Sequence, residues 1–351
     1  MQPVKLGVIG CGVIGKIHLG HASAAAHIDV VAVADLQRNI AQAAAEQFNV
    51  PRVYGAAEEL LADAEVEAVV LAMPAFIRTK LALAAFARGK HVLTEKPVAM
   101  NADEVRRMID ARGALTAACC SSRFRSYESA KRAAEFVASG ELGPLRVVRC
   151  RAVTSAGPAP TKPPPVWRLR RDLNGGGIMS NWGCYDLDYL LGVCNWTLRP
   201  QTVFAHTWQV APHLSARAAD GSNADTHVAA LVRCDGGTVL TLERGEFTAT
   251  RPEQAWEIIG EKGALTLAMS TLPKRAILHH HADPQQGTHS KVLWEGEEDP
   301  GAQHAGPVSD FCHAIREQRP PRTSLEHALV IQQITDAIYR SSETGQAVSI
   351  A

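Results

Sequence analysis

The sequence predicts an α/β chain in two parts: a doubly wound parallel sheet, then an α+β domain with a large open, mostly antiparallel sheet. Three observations carry this. Gly10-Cys11-Gly12-Val13-Ile14-Gly15 follows the apolar run 6–9 directly. Up to about residue 122, near-continuous apolar segments alternate with helical patterns, as in a parallel sheet covered on both faces. Beyond it the apolar pattern alternates residue by residue, as in antiparallel strands. A chain of 351 residues exceeds one ordinary core, so we expect one domain over residues 1–122 and a second over 123–351.

Residues 6–9 read as the first strand, 14–25 as an Ala-rich amphipathic helix, and 30–34 as a second buried strand that ends at Asp35. A helix over 40–48, a short helical turn over 58–61 and a buried strand over 68–72 follow. Residues 78–88 carry Leu81, Ala84 and Ala85 on one helical face. The next strand is 91–94, then a helix over 103–112 and a strand over 115–120. In the second part a helix over 129–139 precedes alternating segments at 146–153, 202–210, 227–233, 238–243, 256–259 and 264–267. Helices over 308–317 and 326–341 close the chain. Residues 157–165 hold five prolines and read as an extended loop, placed as a wall or lid just before Trp167-Arg168. The open sheet needs a cover on its outer face, and a second subunit is the expected cover, giving a homodimer or homotetramer.

A strand that turns through glycines into a helix leaves unpaired N–H groups where a pyrophosphate can sit. Gly10 permits the turn, Gly12 lets the backbone approach the phosphates, and Gly15 lets helix and strand pack closely. This is the Rossmann pattern, and Val13 and Ile14 share the loop. Asp35, twenty positions after Gly15, can accept both ribose hydroxyls of an adenosine and repels a 2′-phosphate, which favours NAD over NADP. Arg38 pulls the other way, since it can pair with a phosphate if Asp35 turns aside. Asp35 also fits a helix N-cap.

Composition narrows the partners. Lys plus Arg and Asp plus Glu are 36 each, so net charge gives no pull toward nucleic acid or an anionic membrane. No apolar stretch approaches the ~20 residues that span a bilayer, and the N-terminus enters the first strand without a secretory signal pattern. Eight cysteines with no C-x-x-C pair, most of them inside apolar runs, read as buried thiols of a reducing cytoplasm. No metal is expected. His279-His280-His281 reads as a polar strand or hairpin edge, since consecutive residues of an extended segment point to alternate faces and cannot all reach one ion.

The strand 91–94 ends in Glu95-Lys96-Pro97, and here the chain resembles the Gfo/Idh/MocA oxidoreductases. Ala72-Met73-Pro74, Arg123-Phe124, Gly140-Glu141-Leu142-Gly143, Trp167-Arg168, Gly175-Gly176-Gly177, the segment 258–263 and the segment 336–341 continue the match in order. The resemblance implies bound NAD(P), with a sugar or cyclitol substrate between the domains. Lys96 would lie beside the nicotinamide and hydrogen-bond the reacting hydroxyl, Glu95 would contact the nicotinamide-side ribose, and Pro74 would line the cofactor. A cis Lys96–Pro97 bond fits, since X–Pro bonds alone tolerate cis cheaply.

The family pattern then breaks. Many members follow the glycine triplet with Asp, His four residues later and Asp three later; this chain has Asn181, Tyr185 and Asp188. On a helix these share one face at i, i+4 and i+7. A tyrosine titrates near ~10 and a histidine near ~6.5, so Tyr185 needs a neighbouring ammonium such as Lys96 to act as a base. Some members place Tyr here; an amphipathic packing residue is the other reading. Asn181 can orient a hydroxyl but cannot accept a proton. Arg78 stands where relatives often carry a His. Trp167 and Arg168 fit either a substrate wall or domain packing, and His18 either a cofactor contact or the helix surface.

The expectation is an NAD(P)-dependent oxidoreductase of a sugar, cyclitol or related polyol. Lys96 and Tyr185 are its catalytic pair, with Asn181, Asp188, Trp167 and Arg168 on the substrate. Two other uses of a bound dinucleotide fit the same departure: transient oxidation for a redox-neutral step such as glycoside cleavage or epimerisation, and regulation without turnover.

Overall fold

Apolar, β-branched runs build the first sheet. The computed structural model describes residues 2–162, 164–270 and 274–350. In it β1 (Val4–Ile9), β2 (Ile28–Ala34), β3 (Arg52–Tyr54), β4 (Ala68–Leu71), β5 (His91–Thr94) and β6 (Ala117–Cys119) pair in parallel in the order β3-β2-β1-β4-β5-β6. The strand order reverses between β1 and β4. A crevice therefore opens beyond their carboxyl ends, where open α/β sheets bind ligands. The connecting helices are α1 (Val13–Ser23), α2 (Arg38–Phe48), α3 (Ala57–Ala62), α4 (Ala75–Phe86) and α5 (Ala102–Arg112). Each sheet face is closed by its own apolar cluster, one containing Leu19, Ala41 and Val70, the other Leu60, Leu81 and Met108.

The second unit begins with α6 (Glu128–Ala138) and β7 (Leu145–Ser155). A short α7 (Arg171–Asn174) leads through a π-helical turn at Met179–Gly183 into α8 (Cys184–Val193). Then come β8 (Pro200–Trp208), β9 (His227–Cys234), β10 (Val239–Thr248), β11 (Glu253–Gly260), β12 (Gly263–Leu267), β13 (Lys274–Asp283) and β14 (Gly287–Glu297). The chain ends with α9 (Ala302–Glu317), α10 (Leu325–Thr344) and β15 (Val348–Ser349). Among the described residues the second sheet runs β14-β13-β12-β11-β7-β10-β9-β8-β15. Only β7 and β10 pair in parallel there; the other neighbours are antiparallel.

The domain division differs from the one expected. The chain separates into Met1–Arg123 with Gly301–Leu329, and Phe124–Pro300 with Val330–Ala351. Residues 301–329 join the N-terminal unit because Val308, Phe311 and Cys312 of α9 complete the apolar cluster around Leu19 and Ala22 of α1, while Leu325 and Ala328 join the cluster on the other face. Three strands were not foreseen, among them the two-residue β15. β3 has three residues, and β14 is exposed along most of its length, so neither carries an apolar period.

The smaller expectations can be placed as well. All eight cysteines are buried and unpaired as disulfides. The histidine tract lies on β13, with His279 packed on Phe136 at 4.7 Å between ring centroids and His280 bonded to Thr266 and Ser290. Pro163 of the proline-rich loop lies outside the described residues; Val166 and Trp167 after it are exposed. Among the described residues no helix is long and apolar enough to cross a membrane.

Candidate active site

At the glycine loop the three glycines are required for three different reasons. Gly10 has φ +93°, which side chains adopt only under strain, and a Cβ there would sit 2.5 Å from the Ala72 carbonyl oxygen. A Cβ on Gly15 would fall 1.8 Å from the Gly10 carbonyl oxygen, so only glycine lets α1 close on the loop. Around Gly12 a Cβ would meet nothing within 4 Å. Protein packing does not demand that glycine, but a ligand would.

Helix α1 starts at Gly12 with no side-chain cap and no acidic residue in its first turn. Its first N–H groups and the positive end of its dipole point into this open space. Val13, 84 % exposed, forms the rim, with Ile14 partly buried behind it. These residues fit the pyrophosphate of a dinucleotide.

Asp35 closes the loop from the end of β2. Its Oδ2 accepts the Cys11 N–H at 2.9 Å and its Oδ1 the Gln37 N–H at 2.9 Å. It is not the N-cap of α2, a position that Gln37 takes. The carboxylate is held toward the loop by two backbone donors, each oxygen keeping a lone pair for a ribose hydroxyl. Arg38, the first residue of α2, is exposed beside it.

The end of β5 is heavily bonded. The Lys96–Pro97 peptide is cis. The Glu95 carboxylate is buried, and its Oε1 meets His18 Nε2 at 2.9 Å and Arg123 Nη2 at 3.2 Å, while Oε2 accepts the Lys96 N–H at 3.0 Å. Burial alone would raise its pKa; the His18 hydrogen bond and the Arg123 charge overcome this and hold it well below the usual carboxylate range. Both Glu95 oxygens thus take protein donors, partners that the expected ribose contact did not include. His18 is 1 % exposed, which overturns the helix-surface reading. Cys120 lies 3.9 Å from His18 Nε2, and burial first, then the Glu95 charge, pushes its thiol pKa well up.

Arg78 went unassigned by sequence reasoning. It is buried in α4, donates Nη1 to the Glu95 carbonyl at 2.7 Å and to the Pro97 carbonyl, and donates Nη2 to the Met73 carbonyl at 2.5 Å. Pro74, next to Met73, is the N-cap of α4. One signal was available: Arg78 falls in helical register with Ala75, Ala82 and Ala85, all buried.

In the C-terminal unit the residues after the glycine triplet are fixed by distant partners. Asp225 anchors the triplet, accepting the Gly177 N–H at 2.9 Å and the Tyr339 hydroxyl at 2.8 Å. A Cβ on Gly177 would strike the Asp225 backbone. Asn181 donates Nδ2 to the Arg168 carbonyl at 3.2 Å and accepts from Asn174 Nδ2 at 3.3 Å. The guanidinium of Arg168 pairs with Glu246 at 2.6 Å, and Trp167 beside it is 42 % exposed.

Tyr185 sits edge-on to Phe124 and Trp182, with ring centroids 5.3 and 5.8 Å apart. Asp188 is fully buried and paired with Arg125 Nε at 2.6 Å. A carboxylate so enclosed supports its surroundings, which corrects the expectation of a direct substrate contact. The common helical face also needs correcting. The π-helical turn at Met179–Gly183 changes the winding just before α8, so the i, i+4, i+7 alignment is broken between Asn181 and Tyr185.

Known families match both parts of the chain. Residues 4–119 match the family described as "Oxidoreductase family, NAD-binding Rossmann fold", and residues 130–266 match the "GFO/IDH/MocA C-terminal domain". D-xylose 1-dehydrogenase (NADP(+)) 2 of Haloferax volcanii is 29% identical over 354 residues, covering 99% of this chain and 100% of that protein. Myo-inositol 2-dehydrogenase of Thermotoga maritima is 25% identical, covering 99% and 98%. Among solved structures, an oxidoreductase domain protein from Kribbella flavida superposes with a TM-score of 0.85 at 22% identity over 100% of both chains. A levoglucosan dehydrogenase in complex with NADH and L-sorbose superposes at 0.83 and 20% identity, also over 100% of both. With an NAD-binding Rossmann domain followed in sequence by the matching C-terminal domain, this chain belongs to the GFO/IDH/MocA family of oxidoreductases.

Proposed function

We propose that the chain oxidises a hydroxyl of a sugar, cyclitol or related polyol, or reduces the matching ketone, with NAD preferred over NADP. The observation that supports this best is the end of β5, where Lys96 stands half-buried on a strand terminus fixed by Glu95, His18, Arg123 and Arg78. NAD(P), when bound, accepts or supplies the hydride. The uncapped start of α1 and the loop Gly10–Gly15 hold its pyrophosphate, Asp35 takes the adenosine ribose, and Pro74 lines the crevice. Lys96 donates a hydrogen bond to the reacting oxygen, and Tyr185 exchanges that oxygen's proton. Asn181 and Arg168 orient other hydroxyls, Trp167 offers an apolar wall, and Asp188 acts through Arg125. The relatives named above act on D-xylose and on myo-inositol by their names, which supports the substrate class.

Self-association belongs to the same reading. Phe204 and Leu231 are cross-strand partners on β8 and β9, both exposed, and Val292 is exposed on β14 near the other end of the sheet. A second copy covering that sheet gives the homodimer or homotetramer we expect, in a cytoplasmic enzyme.

The test is a panel of D-xylose, D-glucose, myo-inositol and a nitrophenyl glucoside, read for both NADH formation and free nitrophenol. At least one sugar should reduce NAD, with Lys96→Ala slowing kcat by ~10³-fold and Tyr185→Phe by ~10²-fold. Nitrophenol release without net NADH would favour the redox-neutral use. A Lys96→Ala protein as fast as the parent would sink the assignment.

A further inference from the structure

We infer that Arg78 is the positioning residue of the reactive lysine, and this rests on the reading of Lys96 given above. Two of the three carbonyls it binds belong to Glu95 and Pro97, the residues on either side of Lys96; the third belongs to Met73 at the end of the neighbouring strand. One guanidinium therefore brackets the Lys96 backbone and ties it to the adjacent strand terminus. The Lys96 N–H is held independently by Glu95 Oε2. Its two flanking carbonyls and its own N–H are thus all engaged, which fixes the main chain that aims the ammonium.

The residue type matters as much as the position. Arg78 is 2 % exposed, and three carbonyl oxygens converging on one buried side chain need several donors in a fixed plane. A guanidinium supplies five, and it stays charged when buried. Lysine offers three donors on a single atom, and no one nitrogen reproduces the separation between Nη1 and Nη2. Removing the donors leaves three buried carbonyls to find other partners, which favours a different conformation of residues 95–97 over the one seen. A shift of about 1 Å at a reacting group costs on the order of 10²-fold in rate.

The experiment compares Arg78→Met and Arg78→Lys with the parent chain. Lys96 is followed by reductive methylation with formaldehyde, read peptide by peptide, with and without saturating NADH. Lys90, 5 % exposed and bonded to the carbonyls of Asp63 and Val66 in the same unit, is the internal control. We expect the Lys96 methylation rate to change at least ~threefold in both variants while that of Lys90 stays put, because the loosening is local. On the fastest sugar of the panel, kcat should fall ~10²-fold for Arg78→Met and ~10-fold for Arg78→Lys, with the NADH dissociation constant within about twofold of the parent.

Unchanged Lys96 labelling in both variants, or Lys90 labelling that rises in step, overturns the inference; the second result would mark Arg78 as a general support of the fold. If Arg78→Met does not fold, Arg78→Lys decides by the same measures. Failure of the functional reading looks different, since Lys96→Ala would then keep its activity whatever the labelling shows.

Discussion

The two units hold their candidate residues by opposite means. In the N-terminal unit the groups that would meet a ligand are largely backbone: amides of the glycine loop and strand ends whose course the sheet dictates. In the C-terminal unit they are side chains, Asn181 held by Asn174 and the Arg168 carbonyl, and the supporting Asp188 by Arg125. Even the helix that carries them rests on such a pair. Asp186, fully buried, is bound by Trp256 Nε1 at 3.0 Å and Arg244 at 3.3 Å. A backbone site tolerates sequence drift and keeps its ligand. A side-chain site can change its chemistry by one substitution.

The contrast can be broken most forcefully at Gly15. Gly15→Ala drives a methyl into the Gly10 carbonyl, and backbone overlap that severe costs several times the ~1–3 kcal/mol of ordinary overpacking, so no cooperative melting transition should survive. Asp188→Ala tests the other unit. It removes the carboxylate that pairs with Arg125, and breaking a buried pair costs roughly 3–5 kcal/mol, read as a lower midpoint in urea. If that midpoint does not move, the C-terminal site is not held by its ion pair.

Gly12→Ala sharpens the contrast on binding alone: the fold should be unaffected, since the new methyl meets no protein atom, while NADH affinity falls by ~10-fold or more, measured by fluorescence titration. The smallest effect concerns pH. His304 on α9 is held down to about 4 by burial and by the charges of Arg123, His21 and His18. A histidine whose folded pKa lies below its unfolded one contributes stability that is complete above about pH 6.5 and fades as pH falls toward about 4. His304→Gln should therefore narrow the difference in melting temperature between pH 7 and pH 4.5 by about 3 °C.

Legibility in the sequence follows the same division. The strand 91–94 coincides with β5 to the residue, and the glycine spacing located the loop, because these features depend on neighbours in the chain. The partners of Glu95 were not legible: His18 and Arg123 lie 77 and 28 residues away, and no local pattern links them. Nor was the π-helical turn, since its residues show the same apolar spacing as an α-helix. Arg78 was half-legible. Its register marked it as buried, but nothing in the sequence named the three carbonyls it serves.

The membership of α9 in the N-terminal unit has a consequence for how such chains can be cut and recombined. The cofactor-binding half is not a contiguous cassette. A segment ending at residue 123 carries every glycine and strand end of the site but leaves Leu19 and Ala22 without Val308, Phe311 and Cys312. A chimera that exchanges substrate specificity by swapping everything after residue 123 therefore also exchanges the back wall of its own nucleotide domain. Successful exchanges should have three junctions, near residues 123, 300 and 329, so the second unit travels as an insertion and a tail.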